Sequence, residues 1–404
     1  MEVGTTSALT PQPAAEPPTP RSRRGVRRIR GWLARASIAL RAAAPALVGY
    51  ALARVVGLLV LLDVVRKQNL GLVDALTVWD AGWYLQIAER GYDGRLQQLA
   101  DGRIDYTNLA FFPLYPGLIK CLTLTGLTPV IAGLAISFVA GLAAAWGLFA
   151  IGTALYDRRV GTVFAVLWAA LPHAVVESMV YAEAVFTALA AWSLYAVLRR
   201  RWLLAGALCL LAGLTRPTAA ALVAAVGLAA TVALLRRQDG ARPWVCAALA
   251  PVGLLGFFAF VGVRLGRADG WFHIQRTAWS SRTDDGSWVL QYFLTTLKPD
   301  VLLGDLVVTV LLATGLVLIV LLVLQRAPAP LVAYAAAVYA LTVTTAAYYF
   351  TKGRLLLPAF PLLLPLAVPL ARAGWGALAV VLPALALASG WYGAYLLTQW
   401  PYAL

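Results

Sequence analysis

Metal-binding side chains are scarce in this chain of 404 residues, which has two histidines, His173 and His273, and three scattered cysteines. No His-rich metal centre, zinc knuckle or disulfide framework can be assembled from them. Cys121, Cys209 and Cys246 lie in or beside apolar runs, where cysteine behaves as a small hydrophobe. Nucleotide motifs are missing too: there is no GxxxxGK(S/T), no GxGxxG between a strand and a helix, and no DxD triplet. A cytosolic sugar nucleotide is therefore a disfavoured substrate. The lone pair Asp284-Asp285 reads as a loop and not as a metal site, so no cofactor is expected, although the residues leave a divalent metal open. Charge is also sparse, at 13% of residues against about 25% in soluble domains.

What fills the chain is apolar: 61% of residues are hydrophobic, spread along the length after about residue 43. This excludes a soluble globular enzyme and implies an all-α polytopic membrane protein. A span needs about 20 apolar residues. Eleven segments qualify: 43–65, 129–155, 160–176, 180–198, 202–215, 218–235, 244–263, 301–325, 330–350, 355–371 and 375–398. Residues 1–42 form a basic, Pro- and Arg-rich tail, expected to be disordered and cytoplasmic. Residues 43–404 form the membrane-embedded domain, with external loops at about 66–128 and 264–300. Arg54 falls inside the first span and must face protein or water.

The net charge of +15 invites a nucleic-acid reading, which fails on distribution. Eighteen of the 33 basic residues fall on the inner side of this topology and fourteen on the outer, while fourteen of the 18 acids lie outside or at the outer boundary. Basic inner loops are a membrane-topology signal, and no nucleic-acid partner is expected. The dominance of Arg over Lys and of Ala, Leu and Val points to a GC-rich bacterial genome, hence to a plasma membrane with the carboxylates clustered on the external face.

One polar stretch interrupts the apolar pattern: Trp79-Asp80-Ala-Gly-Trp83-Tyr84, running on to Gly91-Tyr92. The spacing predicts a surface-lying helix over about 76–90. Asp80 has the chemistry of a general base for a sugar hydroxyl, with Trp79, Trp83 and Tyr84 as platforms for sugar rings. The competing reading makes the tryptophans an interfacial belt and Asp80 a helix cap. Glu177 and Glu183 flank Tyr181 at a turn between spans; Glu177 reads as solvated loop, whereas Glu183 lies inside the span and is the better site candidate. Among external cations, Arg216, Lys352 and Arg354 sit at tight turns, and His273, Gln275, Arg276 and Arg282 lie in the second loop. Arginine suits phosphate geometry; pairing with the external acids is the alternative.

These residues carry a family resemblance. Trp79-Asp80-Ala-Gly-Trp83-Tyr84-Leu-Gln-Ile87-Ala88-Glu-Arg-Gly91-Tyr92 resembles the first-loop signature of the mannosyltransferases related to PIG-V, and Asn108-Leu-Ala-Phe-Phe-Pro-Leu-Tyr-Pro116 resembles their FFPLYP-type segment. Tyr181-Ala-Glu183 with Phe186, Thr215-Arg216-Pro217, Gln275-Arg276 with Ala278-Trp279, and Arg354 with Phe360-Pro361 are similar to later elements, in family order. The position after Arg354, Leu355, departs from the aromatic usual there.

The resemblance implies a class C glycosyltransferase, a polyprenyl-phosphate-mannose donor, chemistry at the external face and Asp80 near the catalytic centre. Arg216, Arg276, Lys352 and Arg354 would then stabilise the leaving phosphate, and Trp83, Tyr84 and Glu183 would position sugars. Trp79, Asn108, Tyr181, His273 and Gln275 complete the implied substrate-binding set. The acceptor is expected to be a cell-envelope glycolipid, lipoglycan or glycan. A lipid or small-molecule transporter, or the same fold with another lipid-linked sugar such as arabinose or glucose, are the alternatives.

Overall fold

The computed structural model describes residues 20–98, 100, 104–298 and 301–403, and of residues 20–36 the backbone alone. It is almost entirely helical, an all-α polytopic membrane protein. By internal contacts it divides into Met1–Ala44 and Pro45–Leu404. The first helix has the bounds Pro20–Lys67, so residues 20–42 of the expected tail are helical; residues 1–19 lie outside the described residues. The elements that build the candidate site all belong to the second unit.

Among the described residues, five helices are long and apolar enough to cross a membrane: Ser37–Lys67, Pro129–Leu155, Arg242–Leu265, Leu303–Leu324 and Trp375–Thr398. A sixth crossing is available to the pair Tyr349–Leu355 and Phe360–Arg372, bent by 79°. Glu183–Leu198, Trp202–Gly213, Ala219–Leu235 and Ala329–Val343 are shorter apolar helices. Arg158–Ala169 continues into a 3-10 turn at Ala174–Ser178. Each of the apolar segments seen in the sequence thus carries helix, but several are short or broken. Pro358 and Pro361 mark the bend of the pair, since proline removes a helical donor and crowds the preceding turn.

The centre of the unit is Glu183–Leu198, which is buried nearly all round and hydrophobic on every face, as a helix enclosed by other helices must be. It packs against Pro129–Leu155 and Trp202–Gly213. Close approach of Pro129–Leu155 to Arg158–Ala169 depends on Gly152, where a Cβ would collide with the backbone of Gly161. Small residues of this kind let apolar helices pack tightly where lipid offers no hydrophobic drive. Arg54 is buried as expected, its guanidinium donating to the carbonyls of Ala169 and Ala174.

Two features position the site. The surface helix expected over 76–90 is two helices, Leu72–Leu76 and Asp80–Arg90. The break is at Trp79, a non-glycine residue at φ 55° and ψ −115°, a conformation that bulky side chains adopt only under external constraint. The second feature is a two-stranded antiparallel pair, Arg282–Thr283 with Thr345–Ala346. It ties the second loop to the chain just before the bent helix pair.

Candidate active site

A cavity of about 770 Å³ opens over the start of Asp80–Arg90. Its lining includes Trp79, Asp80, Trp83, Tyr84, Arg216, Gln275, Arg276, Arg282, Lys352 and Arg354. Asp80 is the first residue of its helix, and Trp79, at the cap position, makes no side-chain capping bond. The Asp80 carboxylate therefore does not act as a cap. Its Oδ2 instead accepts from Arg354 Nη1 at 2.5 Å. Its backbone N–H donates to the Tyr181 hydroxyl at 3.3 Å, and that hydroxyl donates to the Val78 carbonyl at 3.4 Å. Tyr181 thus braces the turn that carries Asp80, and its ring lies 5.3 Å from the Arg354 guanidinium.

Behind this pair stands Glu183, 2% exposed at the first turn of Glu183–Leu198. It is ion-paired to Arg216 and, at 3.4 Å, to Arg354 Nε. The result is a chain of alternating charge, Arg216–Glu183–Arg354–Asp80, closed at zero net charge. Buried charges are tolerated only when paired. Asp80 is the most exposed of the four, its side chain 20% accessible, and it shares the cavity lining with Arg216 and Arg354.

Other cations are held differently. Arg276 donates to Asp269 at 2.9 Å, beside the Arg267–Asp269 pair at 2.7 Å. Hydrogen bonds from Arg267 foremost, and from Arg276, pull the Asp269 carboxyl down to about 2. Lys352 is fully buried, its Nζ donating to the Thr345 carbonyl and lying 5.9 Å from the Trp288 ring. Among the described residues neither Lys352 nor Arg282 has a carboxylate in salt-bridge contact. Lys352 and Arg354 both ride on the short half of the bent pair, which is how two cations sharing a helix turn reach the cavity.

Aromatic rings form another part of the lining. Trp83 stacks on Phe111 at 5.9 Å and meets Trp279 at 5.6 Å. Tyr84 packs edge-on against Phe111 and Tyr115. Burial, then the nearby Glu183 carboxylate, pushes the Tyr84 hydroxyl far above its ordinary value, so it stays protonated.

No family model matches the chain, and no curated protein matches it by sequence. Among solved structures, the crystal structure of ArnT from Cupriavidus metallidurans bound to undecaprenyl phosphate aligns with a TM-score of 0.54. The alignment covers 87% of this chain and 75% of ArnT at 16% identity. The fold is ArnT-like.

Within this ArnT-like fold, the cavity brings together Asp80, Trp79, Trp83, Tyr84, Arg216, Gln275, Arg276, Lys352 and Arg354 of the sequence-derived candidates. Tyr181 and Glu183 stand one layer behind, supporting Asp80 and the arginines. Asn108 is elsewhere: fully buried, it accepts from the Asp93 N–H at 2.9 Å and donates to the Gly91 carbonyl at 3.2 Å, fastening the first loop. His273 is not in the lining either; burial lowers its basicity. Glu177 corrects the solvated-loop reading, being 1% exposed and near Tyr50 and Arg54. Asp284 and Asp285 serve the loop, accepting from the N–H groups of Gly286 and Ser287. The candidates missed are Tyr106 and Tyr348, which line the cavity; single tyrosines in loops carry no distinguishing signal.

Proposed function

We propose that this protein is an inverting glycosyltransferase that moves mannose from a polyprenyl-phosphate-mannose donor to a cell-envelope acceptor, a glycolipid, lipoglycan or glycan. The reading includes kinship with the PIG-V-related mannosyltransferases and a site on the outer face of a bacterial plasma membrane, with residues 1–42 as the cytoplasmic tail. The observation that carries it is the Asp80 carboxylate on a cavity wall, fixed by Arg354 and backed by Arg216 and Glu183. The undecaprenyl phosphate of the ArnT crystal structure supports a lipid-phosphate carrier.

In this mechanism the acceptor hydroxyl attacks the anomeric carbon as the bond from that carbon to the phosphate oxygen breaks. The hydroxyl proton passes to Asp80, and the electron pair leaves with the polyprenyl phosphate. That leaving group is already anionic and needs no general acid. Its charge is best met by cations not already neutralised. Arg216 and Arg354 are matched by Glu183 and Asp80, whereas Arg276 shares Asp269 with Arg267 and leaves that cluster one charge positive. Lys352 and Arg282 are the lining cations that no such pair neutralises among the described residues, and preorganised cations at developing anionic charge are the strongest single aid to such a step.

The test uses purified protein in detergent with labelled polyprenyl-phosphate-mannose. Transfer or hydrolysis of the label needs no sealed vesicle, whereas transport would. General-base catalysis supplies roughly 10²–10⁴-fold, so Asp80→Asn is expected to fall by at least 100-fold while remaining folded. An Asp80→Asn enzyme keeping more than about a tenth of the wild-type rate sinks the assignment.

A further inference from the structure

The aromatic wall is built more elaborately than an apolar lining requires. Trp279 is met by three rings at steep angles: Tyr106 at 4.9 Å and 63°, Phe111 at 5.4 Å and 76°, and Trp83 at 5.6 Å and 71°. Its backbone is pinned as well, its carbonyl accepting from the Tyr348 hydroxyl at 2.9 Å. Tyr348 itself has φ 43° and lies in the left-handed region, one of eight non-glycine residues at positive φ among the described residues. Such a conformation persists only when the surroundings over-determine it. Trp279 is thus a ring of fixed orientation, and its indole N–H has no partner among the described residues.

Exposure rises along this wall: Tyr106 is 55% and Tyr348 38% accessible, whereas the charges at the other end are buried. Tyr348 lies within electrostatic reach of both Tyr106 and Asp80, so the wall leads from the mouth to the base. A lipid-facing aromatic belt would sit on the outside of the bundle; these rings line a cavity. Rigid aromatic side chains give large contact area at small entropic cost. Their faces suit the C–H face of a pyranose, with the exposed Tyr106 side chain offering a hydroxyl to the sugar's hydroxyl groups. The rings of this wall carry no formal charge, although Arg276 and Arg282 line the same cavity.

We propose that the Tyr106–Trp279–Trp83 wall is the acceptor subsite, that it binds the terminal pyranose ring of a glycan, and that the acceptor is recognised as a sugar and not as a lipid headgroup. This rests on the transferase reading for its role, but the binding itself does not. Trp279→Ala and Tyr106→Ala are compared with wild type in detergent, using methyl α-mannoside and methyl β-glucoside as probes. Saturation-transfer NMR reads binding, and steady-state kinetics with labelled polyprenyl-phosphate-mannose reads the KM for acceptor and donor separately.

At least one glycoside is expected to receive saturation from the wild type. Each variant is expected to weaken that glycoside at least tenfold, with the donor KM moving less than twofold. Glycoside binding by both variants equal to wild type, or no glycoside bound by wild type, overturns the subsite. Failure of wild type to consume the donor, with glycoside binding still lost in the variants, overturns the transferase reading and leaves the sugar site standing. Tyr106, being half-exposed, keeps the test decisive where loss of Trp279 disturbs folding.

Discussion

Glu183→Gln and Asp80→Asn should both abolish activity, for opposite reasons. The Glu183 side chain is 2% exposed and lies between two guanidinium groups that are themselves 9% and 11% exposed. Removing its charge leaves the four-membered chain at +1, with Arg216 deprived of its only carboxylate among the described residues. Breaking a buried pair from one side costs about 3–5 kcal/mol, a large part of the 5–15 kcal/mol of a typical domain. Asp80 lies at the cavity edge, and when it is neutralised Arg354 keeps Glu183. The loss there is that of one charge-assisted hydrogen bond, about 1.5–3 kcal/mol. Asp80→Asn should therefore remain folded and fail in rate, whereas Glu183→Gln should fail in stability. Unfolding in detergent can be followed by the fluorescence of the 14 tryptophans. The double variant Glu183→Leu with Arg216→Met removes both charges of the outer pair and should recover most of the stability. A Glu183→Gln protein within about 1 kcal/mol of wild type would refute the charge-balance argument, which requires several times that loss.

Other outcomes rest on the same geometry. Lys352→Met and Arg282→Ala should each raise the donor KM by about 10- to 150-fold, the worth of one charge-assisted contact of roughly 1.5–3 kcal/mol, with acceptor KM little changed; steady-state kinetics checks this. Gly353→Ala drives a Cβ into the His173 ring and must displace the turn bearing Lys352 and Arg354. A loss of about 1–3 kcal/mol in stability and of most activity is expected, with His173→Ala in the same chain recovering part of both. His273→Ala should leave the pH–rate profile in place, because His273 lies outside the cavity lining. The Asp269 carboxyl is lowered in the folded state, so its cluster stabilises the second loop above the ordinary carboxylate value of about 4 and loosens as pH falls through about 2. Amide protection factors of residues 267–276, corrected for the pH dependence of intrinsic exchange, should be flat from pH 7 to about pH 5 and fall as pH drops from about 4 to about 2.

The membrane-spanning character was legible because apolar length is a local property of sequence, and Arg54 was legible because a guanidinium inside a span has few options. Asp80 stood out as one carboxylate between tryptophans. What was not legible depends on distance along the chain. Asp80 and Arg354 are 274 positions apart, and no local pattern reveals that they meet. Glu177 shows the same failure: its neighbours Tyr50 and Arg54 come from the first long helix, so a glutamate at a turn looked solvated when it is buried. Asn108 was drawn into the site by its place in an aromatic motif, yet its partners Asp93 and Gly91 are loop neighbours. Glu183 was read as a sugar ligand, and its real contacts are arginines contributed by two other elements.

The hydrogen bond between Asp80 and Arg354 bears on timing as well as on structure. A carboxylate held by a guanidinium keeps one direction on the cavity wall, so Asp80 is aimed before any ligand arrives. The cations left for an arriving phosphate, Lys352 and Arg282, are different groups, so a carrier can bind without disturbing that aim. On the transferase reading, the base for the acceptor hydroxyl is thus in place before the donor binds, and the carrier phosphate and the acceptor are handled by separate groups.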